Sequence, residues 1–239
     1  MSASRPLAGR CALITGATGG IGAAVARRLG DAGADLHLIA RGRNALRSMA
    51  ERLDGCAWPA DLEEADALQD VLEHIVRSQG GPPDVLVNAV GIFEVAPFAE
   101  TSRTMLDRAL ATNLRGPFLM IQALLPGMLA RGSGMIVTIG SVAGYRAFPG
   151  NSAYSASKFG VRGMHEVLAE ELHGTGVRAT LVEPAATDTP VWDPYRPDER
   201  PDLPNRAEML QPEDVAEAVL FVVTRPAGVT LPLLRIRRG

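Results

Sequence analysis

Tyr154 and Lys158 are four residues apart, in the run Tyr154-Ser155-Ala156-Ser157-Lys158, and Lys158 is the only lysine in the 239 residues. If this run is helical, positions i and i+4 share one face, so the ammonium lies beside the phenol. The pKa of a phenol is near 10, and a neighbouring cation lowers such a value by roughly 1–3 units. The pair is therefore suited to passing a proton to or from a substrate oxygen, although the same spacing also occurs where a lysine merely lies on a helix surface.

A glycine-rich turn joins the first predicted strand to the helix after it, in the run Thr15-Gly16-Ala17-Thr18-Gly19-Gly20-Ile21-Gly22. Glycine lets the backbone approach a ligand closely, and the amino end of a helix offers free N–H groups and a positive dipole end to a phosphate. The turn therefore predicts a dinucleotide site, while a glycine-rich turn without a nucleotide is the alternative.

The second predicted strand is followed by Arg41, with Arg43 two residues further on. An acid after this strand would accept a hydrogen bond from the 2′-hydroxyl of NAD(H), whereas an arginine suits the 2′-phosphate of NADP(H). Arg41 therefore favours NADP(H) over NAD(H), although surface arginines are common in this chain.

The composition excludes several classes of protein. With 46% hydrophobic residues, the chain can form one sizeable core. Its net charge of −3 does not favour nucleic acid or a membrane surface as a partner. Cys11 and Cys56 lie in apolar runs and are interpreted as buried thiols in a reducing compartment. Without an apolar leader or a run of 18 apolar residues, we expect a cytoplasmic protein, and we expect no metal site.

Short β-rich runs alternate with amphipathic stretches of helical length, which predicts an α/β fold: a Rossmann-type, doubly wound parallel sheet of about seven strands with helices on both faces. The predicted strands are Arg10–Thr15, Asp35–Ala40, Gly55–Ala60, Asp84–Asn88, Gly134–Gly140, Val177–Glu183 and Val229–Ile236. The predicted helices include Gly22–Ala32, Glu63–Gln79, Ser102–Arg131, Ala153–His173 and Pro212–Thr224. We predict one catalytic domain over residues 1–239, with a substrate-binding lid at 190–212, where periodicity is lost.

Further runs in the same order make the chain similar to the short-chain dehydrogenase/reductase family over nearly its whole length. They are Asp61-Leu62, Asn88-Ala89-Val90-Gly91, Asn113 in Ala111–Leu114, Ser141 in Gly140–Gly144, and Pro184 after the sixth strand. Each run is weak evidence alone, but their order and spacing together identify the chain as a member of that family.

The resemblance implies a role for each matching residue. Tyr154 would be the general acid in carbonyl reduction, Ser141 would hydrogen-bond the substrate oxygen, and Lys158 would lower the pKa of Tyr154 and hold the nicotinamide ribose. Asn113 would position a water molecule that links Lys158 to solvent. The residues expected at the cofactor are Gly16, Thr18, Gly20, Ile21, Gly22, Arg41, Asp61, Leu62, Asn88, Ala89, Gly91, Tyr154, Lys158, Pro184, Thr187 and Thr189.

The chain departs from the family pattern in two places. After the sixth strand, Ala185 replaces a glycine and cannot easily adopt φ > 0, so the turn is expected to differ in detail. Pro232 cannot donate to a sheet ladder, so the last strand must be at an edge or broken there. This puts a tetramer built on the tail in doubt, and a homodimer through the two long helices is the alternative to a homotetramer.

The resemblance implies hydride transfer between NADP(H) and a carbonyl or secondary alcohol, with reduction of a ketone or a 3-oxoacyl group as the main expectation. Aromatic and aliphatic side chains near the site favour an apolar or aryl carbonyl compound. The candidates are Phe93, Glu94, Tyr145, Arg146, Ala147, Phe148, Val191, Trp192 and Tyr195. An NAD-dependent alcohol dehydrogenase and a non-catalytic nucleotide-binding regulatory protein of the same fold are the alternatives.

Overall fold

A computed structural model describes residues 5–239 and contains one seven-stranded sheet in which every pairing is parallel. The strands are β1 (Cys11–Thr15), β2 (Asp35–Ala40), β3 (Cys56–Pro59), β4 (Val85–Asn88), β5 (Gly134–Ile139), β6 (Val177–Pro184) and β7 (Leu233–Ile236). Their order is β3-β2-β1-β4-β5-β6-β7, which confirms the doubly wound sheet and its strand number. The order reverses between β1 and β4, and such a switch point opens a crevice at the carboxyl ends of the strands.

Helices cover both faces of the sheet. They are α1 (Gly20–Asp31), α2 (Arg43–Leu53), α3 (Ala65–Gln79), α4 (Arg103–Leu110), α5 (Gly116–Arg131), α6 (Ser152–Glu171) and α7 (Pro212–Val223). Helices α1, α2 and α7 pack on one face in one apolar cluster, and α3, α5 and α6 pack on the other in a second cluster. Because the central strands are buried on both faces, they consist of nearly continuous apolar residues, as the sequence predicts.

The predicted helix Ser102–Arg131 is present but is not a uniform α-helix. A π-helical turn, Ala111–Arg115, separates α4 from α5 without breaking the helical rod. Such turns arise as single insertions in α-helices and often occur at functional sites, because the widened turn changes the direction of the side chains. Here the widened turn contains the predicted site residue Asn113.

Two predictions at the sheet edges need correction. The last strand begins only at Leu233, not at Val229, because Pro232 has no N–H to donate. It is an edge strand, as expected. Cys56 is exposed rather than buried, since it starts the edge strand β3, whereas Cys11 is partly buried and both cysteines are free. No helix within residues 5–239 is long and apolar enough to cross a membrane.

His165 lies on the buried face of α6, is 1% exposed, and has no hydrogen-bond partner for either ring nitrogen in the described residues. Burial lowers the pKa of this imidazole from its usual 6.5 to about 4. As the pH falls through 6.5, the unfolded chain therefore binds a proton at this residue before the folded protein does. The free energy of unfolding should therefore fall as the pH drops from 6.5 to about 4, the usual and the lowered pKa of His165.

We expect His165→Leu to reduce the loss of stability in acid. Between pH 7.5 and pH 5, the free energy of unfolding of the parent protein should fall by about 2 kcal/mol more than that of the variant. Urea unfolding at both pH values measures this difference. The matched control is His173→Leu, because His173 is exposed just after α6. An equal pH dependence in the parent and the His165 variant would contradict the assignment.

Candidate functional site at the carboxyl edge of the sheet

The three predicted catalytic side chains of the β5–α6 region converge at one end of the sheet. Tyr154 and Lys158 share a face of α6, and the Lys158 ammonium nitrogen lies 5.7 Å from the centre of the Tyr154 ring. Lys158 is 5% exposed and donates a hydrogen bond of 3.0 Å to the carbonyl of Ile139, the last residue of β5. Ser141 follows two residues later and its side chain interacts with the Tyr154 phenol. The helical face inferred from the spacing is therefore the observed one.

That Lys158 lowers the pKa of Tyr154 stays a prediction, because burial dominates the pKa of the phenol in this structure. Burial raises the pKa of the phenol, and the hydrogen bond from Ser141 offsets that only in part. Burial also lowers the pKa of the Lys158 ammonium, to about 8. Loss of hydration therefore affects both pKa values more than any attraction between the ammonium and a phenolate does. The reason is that burial removes water from the charged form of each group.

Asn113 connects the helix α6 to the loop after β4. Its side-chain oxygen accepts from the Ile92 N–H at 2.8 Å, and its amide group donates to the Ile92 carbonyl at 3.0 Å and to the Ser157 hydroxyl at 2.9 Å. Ser157 in turn donates to the Tyr154 carbonyl at 2.7 Å. Sequence reasoning missed Ser157, although a serine three residues after Tyr154 on a helix is placed for this bond to the backbone.

The glycine-rich turn is packed so closely that side chains are excluded from it. Gly16 has φ of +66°, and a Cβ there would lie 2.8 Å from the Cα of Val90. A Cβ at Gly22 would lie 2.2 Å from the Gly16 carbonyl oxygen, and one at Gly20 would lie 2.4 Å from the Thr189 methyl. Helix α1 begins at Gly20 without a side-chain cap, so the N–H groups of its first turn, including that of Ile21, are open to a ligand. Thr18 is exposed on the same turn.

The residues after β2 and β3 lie beside one another. Arg41 is exposed, and its guanidinium lies 4.0 Å from a carboxylate oxygen of Asp61. The Leu62 side chain is 3% exposed and packs in the core, where a Cβ on Gly116 would approach it to 2.9 Å. Only the backbone of Leu62 is therefore available to a cofactor.

The loop after β4 begins with a buried amide. Asn88 is 1% exposed, and neither polar atom of its side chain has a partner among the described residues. The Ala89 carbonyl approaches Gly16, and Gly91 lies near both Asn113 and Lys158, at 3.6 and 3.8 Å from an added Cβ. The loop thus connects the glycine turn to the Tyr154 region.

The turn after β6 accommodates alanine without strain. Pro184 ends β6, Ala185 is not among the residues with positive φ, and its N–H donates to the Ile236 carbonyl at 2.9 Å. Thr187 is 6% exposed and its carbonyl accepts from the Trp192 indole N–H at 3.1 Å. The carbonyl of Thr187 is thus already engaged by the segment that follows.

An aromatic wall, formed by Phe93, Trp192 and Tyr195, stands beside Tyr154. The Phe93 ring centre lies 4.9 Å from that of Tyr154, 4.8 Å from that of Trp192 and 5.6 Å from that of Tyr195. The Tyr195 hydroxyl accepts from the Val95 N–H at 3.1 Å. Two other predicted pocket residues have partners of their own: Glu94 pairs with Arg108 at 3.0 Å, and Arg146 lies over the ring of Phe148.

The segment 190–212 is ordered in three 3₁₀ turns and the start of α7. The turns are Pro190–Tyr195, Pro197–Glu199 and Arg206–Glu208. Arg206 binds the carboxylates of Asp188 and Asp193, the latter at 2.6 Å, and its N–H donates to Asp198 at 2.8 Å. Arg206 thus contacts three acidic side chains, in a network between residues 188 and 206 that sequence reasoning missed. Whether this segment binds substrate stays a prediction.

The comparisons with known proteins agree with this arrangement. Residues 10–200 match the family described as short chain dehydrogenase, and the chain belongs to that family. The chain is 35% identical over 232 residues to D-threitol dehydrogenase of Mycolicibacterium smegmatis, covering 93% of this chain and 89% of that protein. A metagenomic short-chain oxidoreductase solved in complex with NADP is 32% identical, with a TM-score of 0.83 over 98% of this chain and 99% of that one.

A third relative is the glycine betaine reductase ATRR of Emericella nidulans, which is 36% identical over 233 residues. The match covers 95% of this chain but only 18% of that protein. Within residues 5–239, no three His, Cys, Asp or Glu side chains are grouped so that they could hold a metal ion.

Proposed function

We propose that this oxidoreductase reduces a ketone or 3-oxoacyl group with NADPH. The observation that carries the proposal is the half-buried Tyr154 phenol, which has the Ser141 hydroxyl beside it and Lys158 one helical turn away. These groups face an aromatic wall and lie at the crevice between β1 and β4, where nucleotides bind in open α/β sheets.

The residues present fit a dinucleotide. The glycine turn has no room for side chains, the first turn of α1 is uncapped, and Asn88 offers a buried amide whose hydrogen bonds are unused by the described residues. Arg41 would hold the 2′-phosphate, and Asp61, Leu62 and Ala89 would border the adenosine half. Gly91, Pro184, Thr187 and Thr189 would border the nicotinamide half. When bound, the nicotinamide supplies the hydride.

The side chains of this protein would transfer the proton to the substrate oxygen and stabilise the negative charge that develops on it. Tyr154 would donate its phenolic proton to the substrate oxygen, and Ser141 would donate a hydrogen bond to the same atom as negative charge builds on it. Lys158 would hold the ribose hydroxyls and replenish the proton. Asn113 fixes Ile92 and Ser157 and would keep α6 and the loop after β4 in register.

The substrate carbonyl would lie against the aromatic wall, which favours an apolar or aryl group. We propose that 190–212 closes over the substrate, since Trp192 and Tyr195 anchor this segment beside Tyr154. The whole chain would act as one domain, in the cytoplasm.

We expect Arg41→Ala to weaken NADPH binding by about tenfold or more while NADH binding changes little. The charge-assisted bond to the 2′-phosphate would be lost, and NADH has no such group. Quenching of Trp58 and Trp192 fluorescence measures both affinities. Arg47→Ala is the matched control, because Arg47 is exposed further along α2. Tight NADH with weak NADPH binding in the parent would favour an NAD-dependent alcohol dehydrogenase instead.

We expect Tyr154→Phe to lower turnover by about 100- to 10,000-fold, because the proton donor is removed while the ring is kept. NADPH oxidation with ethyl acetoacetate, acetophenone and an acetoacetyl thioester measures the rate. The Kd for NADPH should be nearly unchanged. Tyr145→Phe, which removes an equivalent hydroxyl outside the wall, is the control. Tight cofactor binding without turnover of any probe by the parent would favour a nucleotide-binding regulatory protein.

We also propose a homodimer formed through α5 and α6. Phe118 and Leu129 on α5, and Phe159 and Val167 on α6, are between 41% and 59% exposed, and such apolar helix faces are often covered by a symmetry mate. Phe118→Glu combined with Phe159→Glu should convert the assembly to a monomer of 25.3 kDa in sedimentation velocity. A parent protein that already sediments as a monomer would contradict this proposal.

A further inference from the structure

A carboxylate is buried directly behind the catalytic turn. Glu183, on β6 immediately before Pro184, is 1% exposed. One of its oxygens accepts a hydrogen bond of 2.9 Å from Arg235 on the edge strand β7. The other lies 3.6 Å from the guanidinium of Arg162 on α6 and has no hydrogen bond in the described residues. None of these three residues belongs to the site assigned above.

The Glu183 side chain lies close to both glycines that flank the Ser141 turn, Gly140 and Gly144. A Cβ added to Gly140 would lie 3.2 Å from the Glu183 Cγ, and one added to Gly144 would lie 3.6 Å from a carboxylate oxygen. The same Gly144 position is 2.9 Å from the Lys158 carbonyl. The side chain is therefore next to the turn at the place where the turn approaches the helix that bears Tyr154.

The two arginines are covered by one aromatic ring. Tyr145, at the end of the Ser141 turn, lies 3.9 Å from the Arg235 guanidinium carbon and 5.9 Å from that of Arg162, measured to the ring centre. Arg162 also pairs with Glu166 at 2.8 Å. Glu183, Arg235, Arg162 and Tyr145 thus form one connected group, here called the Glu183 network.

We infer that Arg235 and Glu183 are positioning residues for Ser141, so that the carboxy-terminal strand helps to set the geometry of the proposed reaction. The inference rests on the proposed function. Glu183 meets all three elements that carry the site: the turn of Ser141, the helix of Tyr154 and Lys158, and the β6 end that leads into the Pro184 turn. Arg235 acts through Glu183, and its neighbour Ile236 holds Ala185 by a backbone bond of 2.9 Å.

Glu183 and Arg235 differ in how well each tolerates the loss of the other's charge. Glu183 is buried and must have a counter-charge, whereas the Arg235 side chain is 45% exposed and can be hydrated without a partner. Loss of Arg235 therefore removes the only hydrogen bond to the Glu183 carboxylate among the described residues and leaves Arg162, at 3.6 Å, as its counter-charge. The carboxylate and the turn of Ser141 beside it would then have to shift toward Arg162. Loss of the Glu183 charge leaves Arg235 in contact with water.

The test is a double-mutant cycle with Arg235→Met, Glu183→Gln and the two combined, plus Arg235→Lys. We expect Arg235→Met to lower kcat with ethyl acetoacetate, acetophenone or the acetoacetyl thioester by roughly tenfold to a hundredfold. The Kd for NADPH and the KM should change less than about twofold. Glu183→Gln in the same chain should restore kcat to within about threefold of the parent, and Arg235→Lys should keep most of the activity because it retains the charge.

The matched control is Arg225→Met. Arg225 stacks on Phe221 at 4.0 Å, as Arg235 stacks on Tyr145, but it accompanies no buried acid, so its loss should leave kcat unchanged. Unchanged kcat in Arg235→Met, or a double variant as slow as Arg235→Met, would overturn the inference. So would Arg235→Lys being as slow as the methionine variant.

Failure of the proposed function has a different signature. If the parent reduces none of the three probes, the proposed reaction is wrong, and the melting temperatures of the same variants decide whether Glu183 depends on Arg235. A lowered melting temperature in Arg235→Met that Glu183→Gln restores supports the pairing. Additive changes in the melting temperature refute it.

Discussion

Burial of the Lys158 ammonium is the constraint on which the catalytic edge depends. A cation that is 5% exposed must be compensated by fixed dipoles, and here the Ile139 carbonyl at the end of β5 supplies one at 3.0 Å. Helix α6 must therefore lie close to the end of β5. Gly144 makes that approach possible, since a Cβ there would lie 2.9 Å from the Lys158 carbonyl. The same approach brings Tyr154 beside Ser141, so the requirements of packing and of chemistry coincide.

The fold follows from the sequence because its signals are local. Apolar runs bounded by glycine, proline or acids mark β1, β2, β4 and β5, and these strands agree with the predicted ones to within a residue at each end. The wrong predictions lie on the edge strands of the sheet. Cys56 has an apolar sequence context but is exposed on an edge strand. Pro232 cannot donate to the sheet, so the last strand is half as long as predicted. The π-helical turn at Ala111–Arg115 was not predicted, because no residue type in this run distinguishes it from an ordinary α-helical turn.

The candidate site is predictable in its members but not in its electrostatics. A spacing of four residues fixes how far apart Tyr154 and Lys158 are, but it contains no information about how much water surrounds them. Burial decided the direction of both pKa values, and it acted against the cation effect assumed from the spacing. Contacts such as Glu183–Arg235 and Arg206–Asp188 join residues whose separation in sequence gives no pattern. Glu183 directly follows the apolar pair Leu181-Val182 in β6, which was a sign that a buried acid there would require a distant counter-charge.

The two pKa shifts also bear on proton transfer at the site. A pKa raised above that of a free phenol keeps Tyr154 protonated at neutral pH but also makes it a weaker acid, so its proton is given up only as charge builds on the substrate oxygen. As a base for alcohol oxidation, the same group would first have to ionise in a place that disfavours charge. Lys158, with a pKa lowered to about 8, loses part of its positive charge as the medium becomes basic. Desolvation therefore opposes the charged forms of both residues, and only the Ser141 hydrogen bond offsets it at the phenol.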